Sequence, residues 1–123
     1  MNIILVVAGG SLGALSRYGA SLLAASLFGT RFPWGTLIVN LTGCLLIGFV
    51  YSLGDRTSLV SPSFRLFFMT GYLGALTTFS TYALEMVNSA RATDIAIAVA
   101  HFCINNFLGA GLVLLGIWLG RLV

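Results

Sequence analysis

The side chains in this sequence with chemistry to offer are Arg17, Asn40, Glu85, His101, Asn105, Asn106 and a run of hydroxyls at Thr77, Thr78, Ser80 and Thr81. Each donates or accepts hydrogen bonds or carries one charge; none is arranged for making or breaking covalent bonds. No metal-ligand spacing, Gly-x-Ser-x-Gly elbow, Walker loop or dinucleotide fingerprint occurs, and nothing points to an enzyme. Asn40 offers two amide donors and a carbonyl, which suit a helix-to-helix hydrogen bond as well as a ligand contact. Arg17 either reaches an interface or pairs inside a bundle, for example with Glu85, or it is a fixed positive charge at an aqueous vestibule that attracts anions. Glu85 is an ion-pair partner or lies near a pore mouth. His101 and Asn105 share one helical face at i, i+4, and a lone histidine more often satisfies its neighbours than binds a ligand.

The segment Thr70-Gly71-Tyr72-Leu73-Gly74-Ala75-Leu76-Thr77-Thr78-Phe79-Ser80-Thr81-Tyr82 carries the most information. Two glycines followed by four hydroxyl residues make poor material for a continuous lipid-facing helix. Such residues re-satisfy backbone groups where a membrane helix unwinds, and the carbonyls exposed there are ligands for an alkali cation. Phe79 and Tyr82, three apart, share a face. Their ordinary role is packing; their functional one is to turn positive ring edges toward an anion, with Thr78, Ser80 and Thr81 as a polar track beside them.

The elements that must position these residues are apolar. Of 123 residues, 59% are hydrophobic and 7% charged, against roughly 25% charged in a soluble domain. Four apolar stretches, about 3–28, 35–53, 64–90 and 95–119, each approach the ~20 residues that a ~30 Å hydrocarbon core demands. The expected architecture is therefore an all-α membrane protein, one domain over residues 1–123 with four transmembrane helices, the third broken near its middle. The first stretch lacks a basic lead and is too long for a signal-peptide core, so it reads as a mature helix. Pro33 and Trp34 suit a helix start at the membrane interface. Cys44 and Cys103 lie in apolar runs and read as buried thiols rather than a disulfide. Small-residue pairs Gly9/Gly13 and Gly116/Gly120 allow close helix approach.

A net charge of +3 without lysine is too scattered for a nucleic-acid face. With four crossings both termini share a side, and that side holds Arg56, Arg65 and Arg121 against Arg31 and Arg91 opposite. So small a bias does not specify an orientation. Insertion both ways round is the expectation, and it permits an antiparallel two-fold dimer.

Gly-x-x-Gly-Ala-x-x-Arg-Tyr in the first stretch, Gly-Thr-Leu-x-Val-Asn in the second and Thr-Gly-x-Leu-Gly-x-Leu-Thr-Thr-Phe-Ser-Thr in the third resemble the Fluc (CrcB) fluoride channel family over almost the whole chain. The resemblance implies an antiparallel dual-topology homodimer in the cell inner membrane, with two pores selective for fluoride over chloride and a structural sodium ion (Na+) at the dimer centre. It further implies that Asn40 donates to fluoride, that Phe79 and Tyr82 flank the ion path with Thr78, Ser80, Thr81 and Asn105 along it, that the carbonyls of Gly74 and Thr77 hold the sodium, and that Arg17 and Glu85 sit at the vestibule. The sequence departs from the family pattern where Tyr82 replaces a second Phe, Ala75 replaces a glycine, and Asn105 and Gly109 stand where several members carry serine or another polar residue.

A passive fluoride pore makes physical sense for such a chain. Hydrogen fluoride crosses membranes neutral and dissociates inside, and an anion pore lets the membrane potential expel fluoride at ~2.3 kcal/mol per charge per 100 mV. The expected function is fluoride export that lowers its toxicity. Two other functions fit four short apolar helices: a small proton-coupled multidrug exporter, which wants a membrane carboxylate conventionally in the first helix, where this chain has Arg17, and a non-transporting structural subunit of a membrane complex.

Overall fold

The computed structural model describes residues 2–123, whose regular secondary structure is all helix; Met1, the first residue of the expected domain, lies outside the described residues. The first helix (Asn2–Phe28) ends on Gly29, whose φ of +77° is open to glycine without a Cβ clash and whose N–H closes on the Ala25 carbonyl at 3.0 Å. The second helix (Trp34–Arg56) begins immediately after Pro33, which has no N–H to leave unsatisfied. It ends as the Thr57 N–H and hydroxyl both donate to the Leu53 carbonyl, at 2.9 and 2.7 Å.

The third apolar stretch is two helical pieces. The first covers residues 62–76, with π-helical turns over Leu66–Leu73. The second is Phe79–Arg91, and Thr77 and Thr78 between them are extended. The fourth helix runs Ile95–Gly120 with a π-helical section at Ile104–Leu108. Helix bounds lie within three residues of the stretches expected, and the third, expected over 64–90 with a break near its middle, consists of the two pieces 62–76 and 79–91. At ~1.5 Å per residue the pieces on either side of Thr77 and Thr78 reach about 22 and 20 Å, short of a ~30 Å core. The other three helices are long and apolar enough to cross.

Ser61 starts the third stretch by accepting the Phe64 N–H at 3.1 Å, with Pro62 following. Ser61→Ala is expected to lower stability by about 1 kcal/mol, read as a small drop in the melting temperature of the detergent-solubilised protein; no change would show that the start is held by packing alone.

The helices meet through backbone. A Cβ on Gly9 would collide with the Phe67 carbonyl, and one on Gly13 with the Tyr72 carbonyl, so the first helix runs parallel to and against residues 67–76. Gly48 and Gly116 do the same for the second and fourth helices, against Val113 and Leu45. Val39, Leu73 and Leu76 form the buried apolar cluster, flanked by Ala20, Leu46, Phe68 and Tyr72. Large side chains such as Leu15, Leu22, Leu84 and Leu114 point outward, as lipid-facing residues do. At one end Arg31 pairs with Asp94 at 3.4 Å; at the other the Arg56 guanidinium donates to the Arg121 carbonyl at 2.7 Å. The two ends of the chain accordingly lie on the same side of the bundle.

Candidate functional site at the interruption of residues 77 and 78

Where the chain leaves helical geometry its backbone groups need other partners, and side chains supply them. The Thr78 hydroxyl accepts the Thr81 N–H at 3.2 Å, an N-cap for the helix that restarts at Phe79. It also donates to the Thr81 hydroxyl at 3.1 Å and lies 3.4 Å from that of Ser80. Asn40 takes the rest. Its Oδ1 accepts the Thr78 N–H at 2.8 Å, and its Nδ2 donates to the Thr78 carbonyl at 3.2 Å. The second Nδ2 hydrogen donates to Asn105 Oδ1 at 3.0 Å. A main-chain N–H can only donate, so the Thr78 amide fixes which end of Asn40 is oxygen.

The polar chain continues. Asn105 Nδ2 donates to the His101 carbonyl at 3.0 Å and lies 3.1 Å from His101 Nδ1. His101 is 0% exposed, and its Nε2 faces Glu85 Oε2 at 3.4 Å, within ion-pair range but outside hydrogen-bond geometry. Glu85 Oε1 accepts from the buried Thr36 hydroxyl at 2.8 Å. Asn40 and Asn105 line a groove with Thr77, Thr78, Phe79 and Asn106, about 340 Å³ in volume. Thr36 and Glu85 line a second hollow of about 320 Å³ beside Arg31 and Trp34. A string of buried and half-buried polar side chains therefore runs from one hollow to the other.

The Gly74 and Thr77 carbonyls are among those the interruption frees. The helical partner of the Gly74 carbonyl would be the Thr78 N–H, which Asn40 takes. That of the Thr77 carbonyl would be the Thr81 N–H, which the Thr78 hydroxyl takes. These are hard oxygen donors of the kind an alkali cation accepts. Among the described residues no cluster of three or more His, Cys, Asp or Glu is placed to hold a metal.

The aromatic pair divides. Phe79 and Tyr82 have ring centroids 5.6 Å apart, tilted by 58°, yet Phe79 is 77% exposed and Tyr82 4%. Tyr82 packs on His101 at 5.0 Å, accepts from Asn106 Nδ2 at 2.9 Å, and its hydroxyl reaches Met86 Sδ at 3.9 Å. Glu85 pairs with Thr36 and His101, not with Arg17, which is half-buried. The sequence reading missed Thr36; its position in Gly35-Thr36, one turn before Asn40, is the signal that places its hydroxyl on the face Asn40 uses.

A protein-family model described as "CrcB-like protein, Camphor Resistance (CrcB)" matches residues 4–117. The chain belongs to the CrcB family. Similar members include proteins named "Fluoride-specific ion channel FluC" from Trichormus variabilis, 47% identical over 97% of this chain and 88% of the relative, and from Acidobacterium capsulatum, 41% identical over 100% and 95%. One from Dehalococcoides mccartyi is 40% identical over 99% and 94%. This CrcB chain is thus matched along nearly its whole length, and the polar string lies inside the matched span.

Proposed function

We propose that this chain is a fluoride-selective passive ion channel that carries fluoride out of the cytoplasm and so lowers its toxicity. The observation that carries the reading is the helix restarting at Phe79, beside the amides of Asn40 and Asn105, in a chain whose relatives are named for fluoride conduction. The first N–H groups of that helix have no intrahelical acceptor, and its dipole is positive at this end. Small, strongly hydrated fluoride needs such donors in place of water, and they come here as main-chain N–H, the hydroxyls of Ser80 and Thr81, and the edge of Phe79. Both Asn40 donors are engaged, so fluoride gains one only by displacing the Thr78 carbonyl or Asn105 Oδ1. Arg17 and Glu85 flank the route at its vestibules.

The two pieces around Thr77 and Thr78 act as one broken transmembrane helix, the third of four crossings, since neither alone is long enough. The weak arginine bias supports insertion in both orientations in the cell inner membrane and assembly as an antiparallel homodimer. The Gly74 and Thr77 carbonyls of the two copies then hold a structural sodium ion, which needs more oxygen donors than one chain offers.

The test is fluoride efflux from liposomes containing only the purified protein, followed with a fluoride electrode beside a chloride control. Rapid fluoride release with little chloride release is expected; no release from folded protein would leave a structural subunit. A proton-coupled exporter is disfavoured because the first helix carries Arg17 and Glu85 is occupied by Thr36 and His101. Accordingly Glu85→Gln, which keeps an acceptor for Thr36, is expected to leave fluoride conduction within roughly tenfold of the parent, one lost buried hydrogen bond at most. Proton-driven uptake of an organic cation that disappears in this variant would establish the exporter instead.

A further inference from the structure

His101 sits in the middle of the polar string, fully buried, with an Nε2 that no hydrogen bond satisfies. The direction of every hydrogen bond leading to it is set from the interruption. The Thr78 N–H makes Asn40 Oδ1 an acceptor, so Asn40 Nδ2 faces Asn105 and makes that contact atom Oδ1. Asn105 must then turn Nδ2 toward the His101 carbonyl and Nδ1. An amide nitrogen only donates, so Nδ1 accepts, and the ring proton of a neutral imidazole lies on Nε2, facing Glu85 Oε2 at 3.4 Å.

We propose that His101 is a positioning residue for the ion path: its Nε2–H tautomer holds Asn105, and through Asn105 it holds Asn40 on the two extended residues. A second proton on the ring would occupy Nδ1 and set it against Asn105 Nδ2, donor against donor. Turning Asn105 over gives no escape. It would place Nδ2 against Asn40 Nδ2 and Oδ1 against the His101 carbonyl, and Asn40 cannot follow because the Thr78 N–H pins it. Protonation therefore severs the string whichever way Asn105 lies, and the clasp on Thr78 loses its support. The device makes conduction fall with acidity. The titratable groups facing the ring are Glu85 and Tyr82, both from the helix that restarts at Phe79; Phe32 presents only a ring, in edge-on contact at 5.7 Å. From the second helix comes Thr36, which reaches Glu85 rather than the imidazole. Arg31 shares the hollow with Glu85 and is paired with Asp94.

This inference rests on the channel reading for its flux consequences but not for its geometry, and the experiment separates the two. His101 is the only histidine, so two-bond 15N–1H spectra of the tag-free, histidine-labelled protein report one imidazole. Expected is a protonated Nε2 with an acceptor-type Nδ1; an Nδ1–H tautomer overturns the proposal whether or not the protein conducts. In parallel, fluoride efflux from phosphatidylethanolamine/phosphatidylglycerol liposomes is followed from about pH 8 to about pH 5, the range in which an imidazole changes charge, with protein-free liposomes correcting for leak of hydrogen fluoride. Efflux should drop roughly tenfold, the factor one broken buried hydrogen bond represents, at the pH where the 15N signal titrates. His101→Asn keeps an acceptor at the Nδ1 position but cannot titrate, and its pH profile should be flat. His101→Phe keeps the ring shape without the acceptor and should conduct poorly at every pH. A parent and His101→Asn that share one pH profile would overturn the proposal. A parent silent at every pH with the expected tautomer would instead reject the channel and leave the hydrogen-bond string standing.

Discussion

Asn40→Ala is expected to abolish rapid fluoride release and to lower the melting temperature more than any other single change in the polar string. Asn40 is the only side chain that satisfies both main-chain groups of Thr78. Alanine leaves the Thr78 N–H unpaired at membrane depth and strands Asn105 Oδ1, each at about 1–3 kcal/mol, while the Thr78 carbonyl, at the N-cap, keeps the first N–H of its helix. The expected loss is about 2–6 kcal/mol, enough to let the interruption close into helix or collapse. Asn40→Asp separates two roles. A carboxylate still accepts the Thr78 N–H, but it cannot donate to the Thr78 carbonyl or to Asn105, and its charge opposes an anion. It should recover part of the stability and none of the flux. Thermal unfolding by size exclusion with the efflux assay checks both, and an Asn40→Ala protein that releases fluoride at the parent rate would show that something else shapes the path.

The second large effect is steric. Gly13→Val should prevent recovery of folded protein, because a Cβ there meets the carbonyl of Tyr72 and the backbone of Leu76. Backbone cannot swing aside as a side chain does, so the first helix must back away from residues 67–76 and open the contacts over Leu73 and Leu76. Even Gly13→Ala should cost about 1–3 kcal/mol from overpacking, more than the ~1 kcal/mol that alanine returns in helix propensity. Gly19, in the same helix, has nothing within 4 Å of its would-be Cβ, so Gly19→Ala should be neutral or stabilising by up to ~1 kcal/mol. The yield of folded Gly13→Val and the melting temperatures of the two alanine variants decide the matter. Equal tolerance at positions 13 and 19 would mean that the close helix approach is not what holds the bundle.

The gap between sequence and structure is clearest at two pairs of residues. Phe79 and Tyr82 share a helical face by spacing, and their rings are adjacent. Spacing says nothing of what lies opposite, and the fourth helix covers Tyr82 with His101 and Asn106 while leaving Phe79 open. Glu85 has Arg17 as an obvious partner of opposite charge, yet the fold brings it Thr36 and His101. Opposite charge is a weak guide here, because a buried polar group takes whichever partner packing puts within about 3 Å.

The sequence by itself determined the class of protein, the four apolar stretches, their bounds to within a few residues, and the polar residues that need a reason to lie among them. Composition and length decide those matters, since lipid admits only backbone satisfied within itself. The membership of the polar string, the direction of its hydrogen bonds and the role of Asn40 as a surrogate for missing helix partners came only from the tertiary structure. They depend on which helices the glycine contacts bring together, and on π-helical turns at residues 66–73 and 104–108 that shift the register of everything after them. Local pattern sets where a side chain points along its own helix; only the packed bundle sets what it meets.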